Sequence, residues 1–330
     1  MAGTTKIEWT DRQWNPVSGC SRASIGCDKC YAVVMSRRLA AMGNTKYAGL
    51  VNKGHFNGQV RLCHEDLYKP LLWPGRQTCF VNSMADLFHP NVPFDYIVKV
   101  WAVMFLNPQH TFQVLTKRPS IAHRFLSDGS LGHQIYQRVS RWLDDGDQGF
   151  LGDQWNRVHD LVARRSSGCR FDFTAVDLPL KNVWLGASCE TQDWLETRTR
   201  ELLQCHVEKR FLSLEPLLAE LKFFGDTETG LELPAFGMAW SESNCCYEQI
   251  QAPGIQWVIV GGESGQGARP IKIEWVDSIV DECRRANVDC FVKQLGSIWR
   301  REHGSTHAKG GRIKDWPKRY PREIPAMVQV

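Results

Sequence analysis

Short apolar runs recur along this chain, and each ends in small or polar residues. Seven stand out: Ile7–Thr10, Cys79–Ser83, His110–Thr116, Asn182–Gly186, Lys209–Leu214, Gln256–Gly262 and Val288–Lys293. Each has the length and near-continuous hydrophobicity of a buried parallel strand. Amphipathic helical patterns lie between them. Ile97, Trp101, Met104 and Phe105 share one face after Pro93, a proline suited to a first helical turn. Leu195, Thr199 and Leu202 follow the fourth run, and Trp275, Ile279 and Cys283 follow the sixth. Repeated strand–helix units predict an α/β fold whose parallel strands are joined by right-handed crossovers. The expected architecture is a partial or complete parallel (β/α) barrel of about six to seven strands. A doubly wound open sheet is the alternative, because alternation alone does not give strand order.

Two stretches interrupt the repeat. Residues 125–180 exceed one crossover and hold helix-compatible sequence such as His133–Val139. Residues 222–254 carry Asp226, Glu228, Glu232, Glu242 and Glu248 against Lys222 alone. Both read as insertions on one domain spanning 1–330. A tail over 299–330 differs in character: Arg300, Arg301, Lys309, Arg312, Lys314, Lys318, Arg319 and Arg322 are interleaved with Trp299, Trp316 and Tyr320. That pattern fits a surface that tracks phosphates and stacks bases. It fits equally a segment whose aromatics pack back on the barrel.

Composition narrows the class. With 330 residues and 43% hydrophobic content the chain can bury a sizeable core. No apolar run reaches membrane-spanning length, and the N-terminus lacks a signal-peptide apolar region, which predicts a cytoplasmic protein without a membrane partner. The twelve cysteines are scattered, so they read as reduced thiols plus ligands rather than a disulfide framework. The formal charge of +4 permits an anionic partner without requiring one.

Ligands of parallel β/α folds bind at the carboxyl ends of the strands. The residues there are Asn82, Ser83 and Asp86; Thr116, Lys117 and Arg118; Ser188 and Glu190; Glu215; Gly261, Gly262, Glu263 and Ser264; and Lys293 with Gln294. Any one of them is ordinary loop polarity. Gly261–Gly267 lacks the spacing of a phosphate-binding or dinucleotide fingerprint. The loop after the first run is less ordinary. It holds Cys20, Cys27 and Cys30 in the spacing C-x6-C-x2-C, with no fourth cysteine nearby. Thiolates suit iron–sulfur clusters and zinc, and a closed structural site wants four ligands. Three thiolates on a [4Fe–4S] cluster leave one iron open for a substrate. The same thiols holding zinc in a non-catalytic nucleic-acid-binding module is one alternative. A divalent-metal nuclease or hydrolase using Asp86, Glu190, Glu215 and Glu263 is another.

Several segments together resemble a family of phage and prophage-borne three-cysteine-motif proteins. They are Ile7–Thr10, Trp14–Pro16, Gly19–Cys20, Gly26–Tyr31, Asn82–His89, Leu115–Pro119 and Gly261–Ser264. That family is similar to the radical S-adenosylmethionine (SAM) superfamily. The chain departs from the superfamily's C-x3-C-x2-C spacing, and its Gly261-Gly262-Glu263 follows the sixth strand where the superfamily places such a segment after the second. The resemblance implies a [4Fe–4S] cluster on Cys20, Cys27 and Cys30, with SAM on its open iron. One-electron cleavage of SAM would then give a 5′-deoxyadenosyl radical. It implies cofactor contacts from Tyr31, near the adenine, and from Ser83, Asp86, Ser188, Glu190, Glu215, Gly261 and Gly262. Lys117, Arg118 and Lys293 are the basic rim residues expected to meet an anionic substrate at the catalytic mouth. The substrate expected by this analogy is a nucleic-acid base or nucleotide, as in phage DNA modification in a bacterial host. Such an enzyme needs an electron donor such as flavodoxin or ferredoxin.

Overall fold

A computed structural model describes residues 5, 7–144, 155–166, 175–223, 238–241, 246–249 and 254–327. Seven strands form one sheet and pair in chain order, every pair parallel: β1 (Arg12–Trp14), β2 (Thr78–Val81), β3 (Thr111–Thr116), β4 (Val183–Ser188), β5 (Lys209–Leu214), β6 (Trp257–Gly261) and β7 (Asp289–Gln294). The sheet curls through 199° as a half-barrel with flanking helices. This is the partial parallel β/α barrel the alternation predicts, and the doubly wound order is not found. Six of the expected runs coincide with strands. The first does not: Ile7–Thr10 is a turn, closed by Thr10 N donating to Ile7 O at 3.3 Å. Ladder pairing starts only after Asp11, whose carboxylate accepts from Thr78 N at 2.8 Å. Trp9 instead turns under the barrel, against Phe80 and Trp257.

Besides a single turn at His64–Leu67, the α-helices among the described residues are α1 (Tyr31–Ala41), α2 (Phe94–Phe105), α3 (Pro119–Leu126), α4 (Leu131–Asp144), α5 (Trp155–Ser166), α6 (Gln192–Leu203), α7 (Ile273–Arg285) and α8 (Gly296–Glu302). The first interruption contributes α4 and α5, and α4 buries Ile135, Val139 and Trp142. Within the second, Met238–Ser241 pairs antiparallel with Cys246–Gln249; the rest of its acidic residues lie outside the described part. Between β1 and β2, two small antiparallel pairs form, Val17–Ser18 with Arg61–Leu62 and Val51–Asn52 with His55–Phe56. No helix among the described residues is long and apolar enough to cross a membrane.

Side chains alternate across the sheet, so each strand feeds two cores. Cys79, Val81, Phe112, Val114, Leu185, Leu212, Val258 and Val292 join the large core. Phe80, Trp184, Phe211, Trp257, Ile259 and Phe291 meet Trp9 in a second core on the other face. Moving toward the strands' carboxyl ends, that second face changes to Gly186, Ser188, Ser213 and Gly261. Aromatics thus fill its floor, and small residues leave room above.

The tail's aromatics belong to this packing. Trp299, Trp316 and Tyr320 are all buried. Trp316 Nε1 donates to Gly310 O at 2.7 Å, and Tyr320 donates to Asp277 Oδ1 at 2.8 Å. Pro321–Glu323 runs beside β7, with Val292 N donating to Pro321 O at 3.0 Å and Glu323 N to Cys290 O at 2.9 Å. Of the two readings of the tail, its aromatics take the structural one.

Gly186 is where the inner face is tightest. A Cβ there would stand 2.4 Å from the Phe211 ring. Overpacking of this kind costs about 1–3 kcal/mol. Gly186→Ala is therefore expected to lower urea-unfolding stability by that amount, and Phe211→Leu in the same chain to restore part of it. A neutral Gly186→Ala would show that the ring moves aside freely.

Candidate functional site

The loop after β1 depends on glycine at two points. Gly19 sits at φ +87°, and a Cβ there would fall 2.2 Å from Gln59 O. Gly26 lies against the Glu190 carboxylate, which a Cβ would approach to 2.7 Å. Between and beyond them a short 3-10 turn, Ile25–Cys27, leads to Cys30, which begins α1 as its cap. Cys20, Cys27 and Cys30 are free thiols of intermediate exposure. Burial pushes the Cys20 thiol up to about 12, with the Asp86 charge adding to it. Burial likewise raises the Cys30 thiol. The Cys27 charge contributes to both, so the three sulfurs share one electrostatic neighbourhood.

Three carboxylates at strand ends hold this loop. Glu190, following β4, is completely buried. It accepts from Gly26 N at 3.2 Å and closely from the Ser24 hydroxyl. The same carboxylate faces Lys117 Nζ and Arg198 Nη1, each at 3.0 Å. Asp86, following β2, accepts from Thr116 Oγ1 at 2.7 Å and Lys117 N at 3.1 Å, and pairs with Arg118 at 2.8 Å. Thus aimed, Arg118 donates to Ser21 O at 3.0 Å and Ser21 Oγ at 2.9 Å, and lies 3.8 Å from Cys20 Sγ. Glu263, following β6, pairs with Arg269 at 2.6 Å, and Arg269 donates to Ile25 O at 3.1 Å. The loop is thereby tied to the ends of three different strands.

The remaining rim residues form the rest of the mouth. Glu215 pairs with Lys293 at 2.8 Å and accepts from Gln294 Nε2 at 3.0 Å. Ser188 Oγ donates to Glu215 O at 3.4 Å. Ser83 Oγ donates to Gln13 Oε1 at 2.6 Å. Tyr31 donates its hydroxyl to Ser83 O, while 54% of the residue is exposed. Desolvation first, and then the Cys30 and Glu215 charges, hold that hydroxyl above its ordinary value. Gly261 lies against Glu215, where a Cβ would come within 3.2 Å. At Gly262 a Cβ would meet Leu295 O at 2.6 Å, so this glycine serves the approach of β6 to the end of β7.

The cysteine loop and the strand-end residues named from the sequence therefore lie at one end of one sheet. Their partners add detail that the sequence did not give. Lys117, Arg118 and Lys293 each already face a carboxylate. Arg198, Arg269 and Gln13 belong to the site and were missed. Arg198 had a legible signal: it stands on the buried face of α6 with Leu195, Thr199 and Leu202.

This chain belongs to the family described as "Protein of unknown function (DUF5131)", whose model matches residues 4–319. No curated protein and no solved structure matches it.

Replacing Glu190 by Gln keeps the shape but leaves Lys117 and Arg198 without their buried counter-charge. Breaking a buried ion pair from one side costs about 3–5 kcal/mol. Reduced stability of that order is expected in urea, together with faster amide exchange over Ser24–Cys27. Unchanged exchange there would show that the loop does not depend on this carboxylate.

Proposed function

We propose that this DUF5131 member is a radical SAM enzyme acting on a nucleic-acid base or nucleotide, with Cys20, Cys27 and Cys30 holding a [4Fe–4S] cluster. The observation that carries this reading is the placement of three free thiols on one clasped loop at the carboxyl mouth of a half-barrel. The donor set fits the group. Three soft ligands are carried on one loop and are partly exposed, while Cys63, Cys79, Cys189, Cys205, Cys283 and Cys290 are buried. Bound there with SAM, the cluster would supply one-electron chemistry able to remove hydrogen from an unactivated carbon.

The protein's own part is to bind, orient and exclude. Arg118 stands beside the Cys20 sulfur, fixed by Asp86. Glu190 and Asp86 act through the loop, since their carboxylates are taken up by cations and loop donors. The half-exposed Tyr31 ring, tethered at Ser83, offers a flat face to an adenine. Ser188 and Glu215 are the candidates to hold the ribose and amino acid parts of SAM, and Lys293, paired with Glu215, is the candidate to meet an anionic substrate. Below them the aromatic floor closes the barrel to water. Electrons come from an external carrier such as flavodoxin or ferredoxin. The nuclease reading is less well supported, because Asp86, Glu190, Glu215 and Glu263 each already face a Lys or Arg.

Anaerobic purification with iron, sulfide and zinc analysis tests the proposal. Iron and sulfide in cluster stoichiometry, a broad visible absorbance lost in Cys20→Ala, and release of 5′-deoxyadenosine from SAM under strong reductant are expected. Stoichiometric zinc without iron would overturn it in favour of a zinc module.

A further inference from the structure

We infer that the exposed face of α1, with the small hairpin that follows it, is the surface on which a nucleic-acid strand docks to reach the mouth. The inference deepens the function proposed above by locating its substrate class, and it rests on that reading for the chemistry alone. It also moves the nucleic-acid contact away from the basic tail.

The first observation is the distribution of exposed apolar side chains. Ten large ones are exposed among the described residues, and five of them fall between Ile25 and Met42. On α1 they keep helical spacing. Tyr31, Val34, Met35, Arg38 and Met42 share one face, while Ala32, Val33 and Ser36 are buried on the other. Val34 is 69% exposed and Met42 72%, so this ridge is covered by nothing described. A contiguous exposed apolar patch of this kind marks an interaction surface.

The second observation is charge. From Ser21 to Leu62 the chain carries seven Lys and Arg residues and one acid, Asp28. Asp28 is already paired with Arg22 at 2.6 Å. Lys46 is paired with Asp66, and Arg61 donates to the carbonyls of Thr45 and Ala48. That leaves Lys29, Arg37, Arg38 and Lys53, all exposed and without a hydrogen bond or ion pair among the described residues. Arg37 and Arg38 stand on α1 with the aromatic and aliphatic ridge, Lys29 lies in the loop just before it, and Lys53 lies on the hairpin. Spread cations beside apolar groups fit a phosphodiester strand, with guanidinium planes available to bases and aliphatic groups available as wedges.

The third observation is position. Cys30 caps α1, so the ridge starts at the thiol loop and runs along the helix for about 16 Å. Tyr31 stands at its mouth end, bonded to Ser83 beyond β2. A strand lying along α1 would present one unstacked base over the mouth. The tail also exposes Ile313, Ile324 and Met327 and several cations, but it offers no exposed aromatic ring. Its three aromatics are buried, Lys318 is paired with Asp277 and Arg322 with Glu8.

Fluorescence anisotropy with a labelled mixed-sequence 20-nucleotide single strand, on the full-length protein without added metal, tests this independently of the cluster. Wild type should bind at 50 mM salt and weaken steeply by 200 mM. Arg37→Ala/Arg38→Ala should lose about tenfold in affinity and lower the salt slope by about 1.4, as for two lost phosphate contacts. Lys29→Ala/Lys53→Ala provides a second variant at exposed positions. Lys314→Ala/Arg319→Ala in the tail should change affinity less than twofold. No wild-type binding at low salt, wild-type affinity in both α1-region variants, or a larger loss in the tail variant would overturn the inference. So would equal competition by polyglutamate of matched charge, which would assign the surface to an acidic protein. Iron analysis decides the cluster separately, so the two can fail independently.

Discussion

The site depends on one buried charge. Glu190 has no exposed surface, yet it sits at the junction of the cysteine loop, the end of β3 and the buried face of α6. A carboxylate removed from water is strongly unfavourable unless cations and hydrogen bonds replace the lost solvation. Here two cations and two loop donors do so, and every one of them is constrained in return. Arg198 is held over the Trp194 ring at 4.0 Å and donates to Ser188 O at 2.6 Å. Gly26 has no alternative, because any Cβ would collide with the carboxylate. The thiol loop is thus shaped by the protein's electrostatics, whatever occupies it.

Around this centre the pattern repeats with different strands. Asp86 aims Arg118, Glu263 aims Arg269, and both arginines end on loop carbonyls. The carboxylate stays on the rigid strand end and the longer guanidinium spans to the loop. Arginine suits this, since its planar fork can serve a carboxylate and a carbonyl together. A lysine in the place of Arg118 would have one point charge for four acceptors. The inner face explains why the loop has a mouth to cover. Bulky rings at Phe80, Trp184, Phe211, Trp257 and Phe291 fill the floor, and on β4, β5 and β6 glycine or serine two or four residues later keeps the upper end open.

The strands were legible because a parallel sheet buried on both faces demands continuous apolar runs. The turn at Ile7–Thr10 imitates a strand for the same reason: Ile7 and Trp9 are apolar because they cap the inner core, not because they pair. The hairpin strands at Val17–Ser18 and Val51–Asn52 are too short to carry a period. Strand-end polar residues were found by position, but their partners were not. Arg118 meets Ser21 across 97 residues, and Arg269 meets Ile25 across 244. Nothing local distinguishes an arginine that will be buried against a distant carboxylate from one left in solvent. Arg198 is the exception, betrayed by its place on an apolar helix face.

The tail and the α1 region show what composition leaves undecided about a basic surface. Both mix cations with aromatic or aliphatic side chains, and the tail has the greater density of cations and aromatics. What differs is what the folded chain has already spent. In the tail, Trp316 and Tyr320 pack together, Tyr320 and Lys318 converge on Asp277, and Arg322 lies over Phe291 at 4.7 Å while reaching Glu8. Its stacking planes and several of its charges are engaged in closing the barrel against β7. On α1 the buried side is complete with Ala32, Val33 and Ser36, and the opposite side is left with apolar groups in water and cations without acids. Counter-charges and core contacts, which only the fold assigns, separate two segments of similar composition.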